Sequence, residues 1–263
     1  MKLKNKIKMV FFDIDDTLRV KDTEYMPPSV NEAVAKLHEK GIKIGIASGR
    51  AIYGFAPEIM GLNPDYFVTI NGQYVMNKDK QEIFSNPIAT SDITMFVDWC
   101  KEHNLPYGMV AAEACAVSDW TPLVADAMTV IYGKIQEKPD FYKQQEVYQL
   151  WSYSENQIEN TLPEEVKAHL KVVRWHEHSC DLFPMSGSKA HGIEAALNDL
   201  GITKDEIIVF GDGLNDLEMF QYAGFSVAMG NAHEDLKPHA DYITKDILDD
   251  GILYALTELG IIE

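Results

Sequence analysis

The sequence predicts an α/β fold: a Rossmann-like, parallel-sheet core interrupted by an inserted α+β domain. Three observations support this prediction. Strand and helix signals alternate at both ends of the chain, over residues 1–84 and 186–263, whereas the pattern changes over 85–185. The 263 residues, 46% of them apolar, are enough for one large core or two small ones. We therefore predict that the two ends form one split domain and that 85–185 form the other.

The first predicted strand ends in acidic residues. Val10-Phe11-Phe12 is an apolar run typical of a buried parallel strand, and Asp13 and Asp15 follow it. Residues two apart in an extended chain lie on the same side, so the two carboxylates face one region. They repel each other unless a cation lies between them, and Mg²⁺ prefers carboxylate, carbonyl and water oxygens. The sequence therefore predicts a magnesium site here.

The next elements continue the alternation. Residues 29–32 have the Ser-x-x-Glu form of a capping box, which predicts a helix running to about Lys40. Gly41 ends this helix, and short strands are predicted over 42–47 and 66–70. Strand, helix and strand at this spacing predict right-handed parallel crossovers.

The same alternation returns near the C-terminus. A helix is predicted from about Lys189 to Leu200, and strands over 207–210, 225–228 and 242–244. Several of the predicted core strands end in polar segments. Because open α/β sheets bind ligands outside the carboxyl ends of their strands, we expect these segments to share one site.

The middle of the chain predicts a mixed domain. It contains a helix over 91–103 and strands over 107–111 and 115–118. Turn signals at 77–79 and 184–187 are the predicted places where the chain leaves the core and returns to it.

Charge and composition argue against several classes of protein. The net charge of −18 and the lack of clustered Lys and Arg argue against a nucleic-acid partner. No run of about 18 apolar residues could span a bilayer, and no secretory signal is recognisable, so we expect a cytoplasmic protein without a membrane partner. Cys100, Cys115 and Cys180 form no CxxC pair, which argues against a disulfide framework or a thiolate zinc site.

Four motifs occur in order along the two core segments. They are Asp13-x-Asp15-x-Thr17, Ser48-Gly49-Arg50, Lys189 and Gly211-Asp212-Gly213-Leu214-Asn215-Asp216. In this order they resemble the haloacid dehalogenase superfamily of phosphohydrolases, and more narrowly its Cof-type branch with a class IIB cap. Asn71-Gly72 and Ala228-Met229-Gly230-Asn231-Ala232 are also similar to that branch. Each motif alone is typical of a turn, but turn propensity does not readily explain all of them together.

The first motif carries the predicted chemistry. Asp13 is the predicted nucleophile, in agreement with the resemblance, because carboxylates can form aspartyl-phosphates. Asp15 is the predicted general acid for the leaving oxygen and then the base that activates water. By resemblance, its backbone carbonyl also faces the metal. Thr17 is expected to order the loop through a hydrogen bond from its hydroxyl to the backbone.

The other motifs supply the predicted phosphate contacts. Ser48 and Gly49 are placed to offer hydrogen bonds to a phosphate oxygen. Lys189 adds a positive charge at a helix N-terminus, which itself favours an anion, and Asn215 is a further candidate. Candidate substrate contacts are Arg50, which could instead brace its loop, Asn71 and Gly72.

The predicted metal ligands are Asp13, Asp15 and Asp212. If a helical turn follows Gly213, Asp216 lies on the same side as Asp212 and supports the metal or the lysine. The chain departs from the family pattern at two positions, Asp16 and Ala190, where Gly is common. Asp16 adds a third acid, which either weakens phosphate binding or, if turned outward, has no effect.

Together these residues predict a Mg²⁺-dependent phosphatase that acts on a small phosphorylated metabolite, such as a sugar phosphate, through an aspartyl-phosphate. The inserted domain is expected to be a lid that selects the substrate. One alternative is a phosphomutase, which bisphosphate dependence would reveal. The other is an inactive metabolite sensor, for which loss of a motif acid or the motif lysine would be the mark, and none is lost. The sequence makes no prediction of the oligomeric state.

Overall fold

The structure is a computed structural model that describes residues 6–155 and 161–263. Two compact units are present. The core unit comprises the described residues up to Gly49, Phe55–Phe84 and Ser188–Glu263, and the inserted unit comprises Arg50–Gly54 and the described residues of Ser85–Gly187.

Within the described residues, strands and helices alternate through most of the chain. The strands are β1 (Met9–Phe12), β2 (Lys43–Ala47), β3 (Tyr66–Thr69), β4 (Tyr74–Asn77), β5 (Glu82–Ser85), β6 (Tyr107–Val110), β7 (Cys115–Val117), β8 (Gln136–Glu137), β9 (Gln149–Tyr153), β10 (Leu170–His176), β11 (Ser179–Pro184), β12 (Ile207–Gly211), β13 (Phe225–Ala228) and β14 (Tyr242–Ile243). The helices are α1 (Pro28–Glu39), α2 (Pro57–Gly61), α3 (Thr90–Glu102), α4 (Pro122–Tyr132), α5 (Glu164–His169), α6 (Lys189–Leu200), α7 (Leu217–Tyr222) and α8 (Gly251–Glu258).

The core unit is built on a sheet with the strand order β14-β13-β12-β1-β2-β3-β4-β5. Neighbouring strands from β14 to β3 are parallel, and β4 runs antiparallel to β3. β1 lies inside the sheet, and all of its residues are buried. The α/β prediction is confirmed, and the six core strands that were predicted lie within one residue of their predicted bounds, because apolar runs that end in polar residues mark buried strands clearly. The strands β4 and β5 were not predicted as strands.

The predicted capping box of α1 is wrong. The helix begins at Pro28 with Pro27 as its N-cap residue, no side chain caps it, and Ser29 is buried inside the first turn. Proline at the first helical position has its φ already set for the helix and lacks the N–H that would need a partner. The helix therefore starts one residue before the serine that the sequence pattern favoured.

The inserted unit contains a sheet with the strand order β10-β11-β9-β6-β7-β8. Its neighbouring strands are antiparallel, apart from the parallel pair β7 and β8. Its apolar core combines residues of α3, α5 and this sheet, for example Phe96, Val166 and Leu182. Among the described helices of the whole chain, none has the length and apolar character that crossing a membrane requires.

The segment Arg50–Gly54 differs from the predicted domain bounds, because it packs within the inserted unit. The Ala51 N–H donates to the Tyr132 hydroxyl at 3.1 Å. A Cβ on Gly54 would lie 2.5 Å from the Tyr132 ring, so only glycine allows this approach. Arg50, predicted beside the Ser48-Gly49 pair in the core, therefore belongs to the inserted unit.

Candidate active site

Asp13 lies at the carboxyl end of β1. The parallel neighbours β2 and β12 end at the same edge of the sheet, which is where α/β folds place their ligands. The Asp13 N–H donates to the Phe210 carbonyl at 3.0 Å and so continues the pairing with β12. Asp13 is only 7% exposed, and its carboxylate is therefore fixed in a largely desolvated position.

The loop after β1 is a tight turn held by its own backbone. The Arg19 N–H donates to the Ile14 carbonyl at 3.0 Å, and Asp16 has a φ of 57°. This left-handed conformation explains why glycine suits that position. The Asp16 carboxylate accepts a hydrogen bond from the Lys21 N–H at 2.9 Å. The third acid of the motif is therefore turned toward its own loop.

Lys189 is buried and joins two carboxylates. It is the first residue of α6, whose N-cap residue Ser188 accepts from the His191 N–H at 3.3 Å. Its Nζ donates to Asp13 Oδ1 at 2.7 Å and to Asp216 Oδ1 at 2.6 Å. Burial alone would lower the pKa of Lys189, but the attraction of the two carboxylates raises it above its ordinary value. The lysine is therefore cationic at neutral pH.

Asp216 holds the loop that follows β12. The predicted helical turn is present as a 3₁₀ turn over Leu214–Asp216, which leads into α7. Asp216 Oδ2 accepts from the N–H groups of Asp212 and Gly213 at 2.9 and 3.0 Å. With its other oxygen on Lys189, Asp216 ties this loop to the start of α6.

Thr17 binds a carboxylate. Its hydroxyl donates to Asp212 Oδ1 at 2.8 Å, so the predicted bond to the backbone is wrong. The two residues are 195 positions apart, and no local turn pattern could reveal this partner. Because Thr17 is fully buried, the bond fixes the orientation of the Asp212 carboxylate.

The carboxylates of Asp13, Asp212 and Asp216 form a compact acidic cluster. One oxygen of each lies within 4.8 Å of the others. Burial raises the pKa of Asp13 to about 7, a rise that Lys189 opposes and that Asp216 and Asp15 reinforce. Burial, followed by the charges of Asp13 and Asp216, also raises the pKa of Asp212 well above its usual range. A divalent cation would relieve this repulsion, and an all-oxygen donor set suits Mg²⁺.

This cluster differs from the predicted metal set. Among the described residues, Asp216 joins Asp13 and Asp212, and the Asp15 carboxylate is outside the group. Asp15 is half-buried, and its charge contributes to the raised pKa of Asp13. Its proton-transfer role and its carbonyl contact with the metal stay predictions.

Ser48, Gly49, Asn71 and Asn215 meet beside the ends of β2 and β3. The Ser48 carbonyl accepts from the Asn71 N–H at 3.0 Å, and Asn215 Nδ2 donates to Asn71 Oδ1 at 3.3 Å. A Cβ on Gly49 would lie 3.2 Å from Asn71 Oδ1, so glycine leaves room for this amide. Residues of three separate motifs therefore come together here, whereas Arg50 lies in the inserted unit.

Sequence reasoning assigned no role to Asn231. Its Nδ2 donates to the Asp16 carbonyl at 2.7 Å, and its Oδ1 accepts from the Ile247 N–H at 3.0 Å. Asn231 therefore connects the first motif loop to the C-terminal part of the core. Its segment resembles the Cof-type branch, but nothing local to it indicates a partner 215 positions away.

The sequence profile of a family described as haloacid dehalogenase-like hydrolase matches residues 10–256. The chain belongs to this family. A relative in Streptococcus pyogenes, an inferred bifunctional phosphatase/peptidyl-prolyl cis-trans isomerase, is 45% identical over 98% of this chain and 55% of its own length. The inferred phosphatase YkrA of Bacillus subtilis is 36% identical over 97% of this chain and 99% of its own. The chain thus spans about half of the length of the first relative and nearly the full length of the second.

Solved structures of the haloacid dehalogenase family have the same fold. A hypothetical protein from Geobacillus kaustophilus HTA426 is 34% identical, with a TM-score of 0.88, 97% of this chain covered and 100% of that one. A structure described as a HAD subclass IIB sugar phosphatase is 29% identical, with a TM-score of 0.84 and the same coverage. The Cof-type, class IIB resemblance is therefore confirmed, and the chain is a phosphatase of the haloacid dehalogenase family.

Proposed function

We propose that this phosphatase hydrolyses a small phosphorylated metabolite, such as a sugar phosphate, with Mg²⁺ as cofactor and through an aspartyl-phosphate on Asp13. The observation that carries the proposal is the contact of Lys189 with Asp13 and Asp216, at 2.7 and 2.6 Å. It fixes a buried carboxylate at a strand end beside Asp212. The Asp13 carboxylate as nucleophile, the Lys189 ammonium group and a bound metal ion could therefore act on one phosphate group.

In the proposed reaction, a carboxylate oxygen of Asp13 attacks phosphorus as the P–O bond to the leaving alcohol breaks. Asp15 supplies the proton that the leaving oxygen needs. The Asp15 carboxylate then takes a proton from a water molecule, which attacks the aspartyl-phosphate. This second step releases inorganic phosphate and regenerates the Asp13 carboxylate.

Asp13 and Asp212 would hold Mg²⁺ through carboxylate oxygens, together with the backbone carbonyl of Asp15. The bound cation would neutralise the repulsion between these carboxylates and the phosphate. Thr17 and Asp216 support this arrangement because one orients Asp212 and the other holds its loop.

Ser48, Gly49, Lys189 and Asn215 are the proposed phosphate ligands. Lys189 offers charge, and the other three offer uncharged N–H and O–H donors, so the charge of the transferring group is shared among several groups. Arg50, Asn71 and Gly72 stay candidate substrate contacts. A sugar phosphate as the substrate is supported by the name of one similar structure, which is a sugar phosphatase.

The test is phosphate release from sugar phosphates, nucleotides, pyridoxal phosphate and flavin mononucleotide, with and without Mg²⁺. We expect release in the presence of Mg²⁺ and loss after chelation. Asp13→Asn should reduce turnover by about 10³- to 10⁶-fold, the range found when a nucleophile is removed. Asp249→Asn removes an exposed carboxylate and is the matched control. Ordinary activity of Asp13→Asn would remove Asp13 from its role, and full activity after rigorous chelation would refute the metal assignment.

A further inference from the structure

Three successive residues after β3 have left-handed backbone conformations. The φ values are 54° at Ile70, 52° at Asn71 and 85° at Gly72. Such a conformation is rare outside glycine and is a true outlier for a β-branched residue such as isoleucine. Strained backbone of this kind persists only where the surroundings enforce it, and it concentrates at functional sites.

The surroundings of this turn do enforce it. The Asn71 N–H donates to the Ser48 carbonyl and the Gln73 N–H to the Ile70 carbonyl, both at 3.0 Å. The fully buried Gln73 side chain donates to the Asn71 carbonyl at 3.0 Å. Ile70 is fully buried as well. The backbone of Asn71 is therefore held at both its N–H and its carbonyl, and its side chain has a fixed starting point.

That side chain lies between two proposed phosphate-binding groups. Asn71 is 2% exposed, and its Oδ1 accepts from Asn215 Nδ2 at 3.3 Å. The same oxygen is the nearest atom to a Cβ placed on Gly49, at 3.2 Å. Because a carbonyl oxygen can only accept, it selects the Asn215 rotamer whose amide nitrogen faces it. The second N–H of the Asn215 amide is then held in one direction.

We propose that Asn71 is a positioning residue for phosphate binding, which acts by fixing the amide of Asn215. This inference rests on the proposed function, in which Asn215 contacts the phosphate. An amide that is already oriented loses less rotational freedom when it binds the anion, so the contribution of Asn71 appears in binding. The left-handed turn places the Asn71 side chain between Gly49 and Asn215.

The experiment compares Asn71→Gly with Asn63→Gly. Glycine accepts a left-handed backbone without strain, so Asn71→Gly removes the amide and keeps the turn. Asn63 has a similar φ, 55° against 52° at Asn71, but is exposed and outside the site, which makes it the matched control. Asn71→Gly should raise KM and the inhibition constant of inorganic phosphate about 3- to 10-fold, the value of one hydrogen bond, with a smaller change in kcat. Asn63→Gly should change none of them.

A double-mutant cycle separates positioning from direct contact. If Asn71 acts through Asn215, the double variant Asn71→Gly/Asn215→Ala should bind inorganic phosphate no more weakly than Asn215→Ala alone. The inference would be overturned if the double variant lost phosphate affinity by the product of the two single-variant losses. It would also be overturned if Asn71→Gly had the same kinetics as Asn63→Gly. If Asn71→Gly does not fold, the order parameter of the Asn215 side-chain amide is measured by NMR in the unmodified protein. We expect this amide to be ordered without phosphate, and an amide that becomes ordered only when phosphate is added would overturn the inference. An unmodified chain without phosphatase turnover would instead refute the proposed function, so the two failures are distinguishable.

Discussion

At the residue scale, the site is a set of carboxylates arranged around one buried ammonium group. Lys189 contacts Asp13 and Asp216, and Thr17 orients the neighbouring Asp212. Burial raises the pKa of Asp13 to about 7; the attraction of Lys189 offsets only part of this rise, and the charges of Asp216 and Asp15 add to it. A divalent cation bound beside Asp13 and Asp212 would relieve the repulsion that remains.

The titration of Asp13 should appear in the stability of the metal-free protein. Its pKa is 3.8 when unfolded and about 7 in the folded chain, so the folded state binds more protons between these values. Stability should therefore fall as the pH rises from about 4 to about 7. Asn at position 13 cannot titrate. As the pH rises through this window, we expect the Tm of the unmodified protein to fall relative to the Tm of Asp13→Asn. Parallel curves of Tm against pH for the two proteins would contradict the raised pKa of Asp13.

We expect Thr17→Val to lower the affinity for Mg²⁺ without abolishing phosphatase activity. Valine keeps the shape of Thr17 and removes the hydrogen bond to Asp212. Partners that orient metal ligands are typically worth about 10- to 100-fold in metal affinity. The Mg²⁺ concentration for half-maximal activity should rise accordingly, while kcat at saturating Mg²⁺ changes less. Thr94→Val removes an exposed helical hydroxyl and should leave the Mg²⁺ dependence unchanged.

At the element scale, the turn after β3 and the start of α6 fit against each other. A Cβ on Gly72 would lie 2.0 Å from the Ser188 carbonyl oxygen and 3.1 Å from Cα of Lys189. Only glycine allows this approach, and φ is +85° there as well. The position of Lys189 therefore depends on a turn more than 100 residues earlier in the chain.

Gly72→Ala should therefore cost both stability and activity. Gly41 offers the control, because its φ is +69° and a Cβ there would meet nothing within 4 Å. Gly41→Ala should lower stability by the conformational cost alone, about 1 to 2 kcal/mol, with unchanged kinetics. Gly72→Ala should lose more stability in denaturant titrations and also lose turnover, because α6 must move. Equal effects of the two substitutions would contradict the packing argument.

At the scale of the whole molecule, the core unit joins segments that are far apart in sequence. Asp13 and Thr17 come from the first, and Lys189, Asp212 and Asp216 from the last, so the hydrogen bonds among these residues span up to 195 positions. A cation held between these segments would bind the folded chain and not the unfolded one. Metal binding and folding of the core are then linked.

Mg²⁺ should accordingly raise the Tm of the unmodified protein. At about 100 times its dissociation constant, a ligand specific to the folded state adds about 2.7 kcal/mol. Asp212→Asn should remove most of this shift, and Asp249→Asn, an exposed acid of the same unit, should retain it. A shift of the same size in both variants would show that Mg²⁺ acts on the overall negative charge.

Sequence patterns were enough to predict six of the core strands, the helix that begins at Lys189, the acidic strand end and the family. These features are local: apolar runs, turn residues and short motifs reflect the preferences of neighbouring residues. The capping box at Ser29 failed for the same local reason, because Pro28 competes for the helix start.

The partners of the site's side chains depend on how distant segments pack, which sequence patterns do not show. In the folded chain, Thr17 donates a hydrogen bond to Asp212, and Asn215 donates one to Asn71. Asp216 accepts from Lys189 and is also part of the acidic cluster. The tertiary structure also assigned Arg50 to the inserted unit. A hydrogen bond between residues 144 or 195 positions apart depends on how sheets and helices pack. A local sequence pattern reflects only neighbouring residues, so it does not show that two distant side chains lie close together in space.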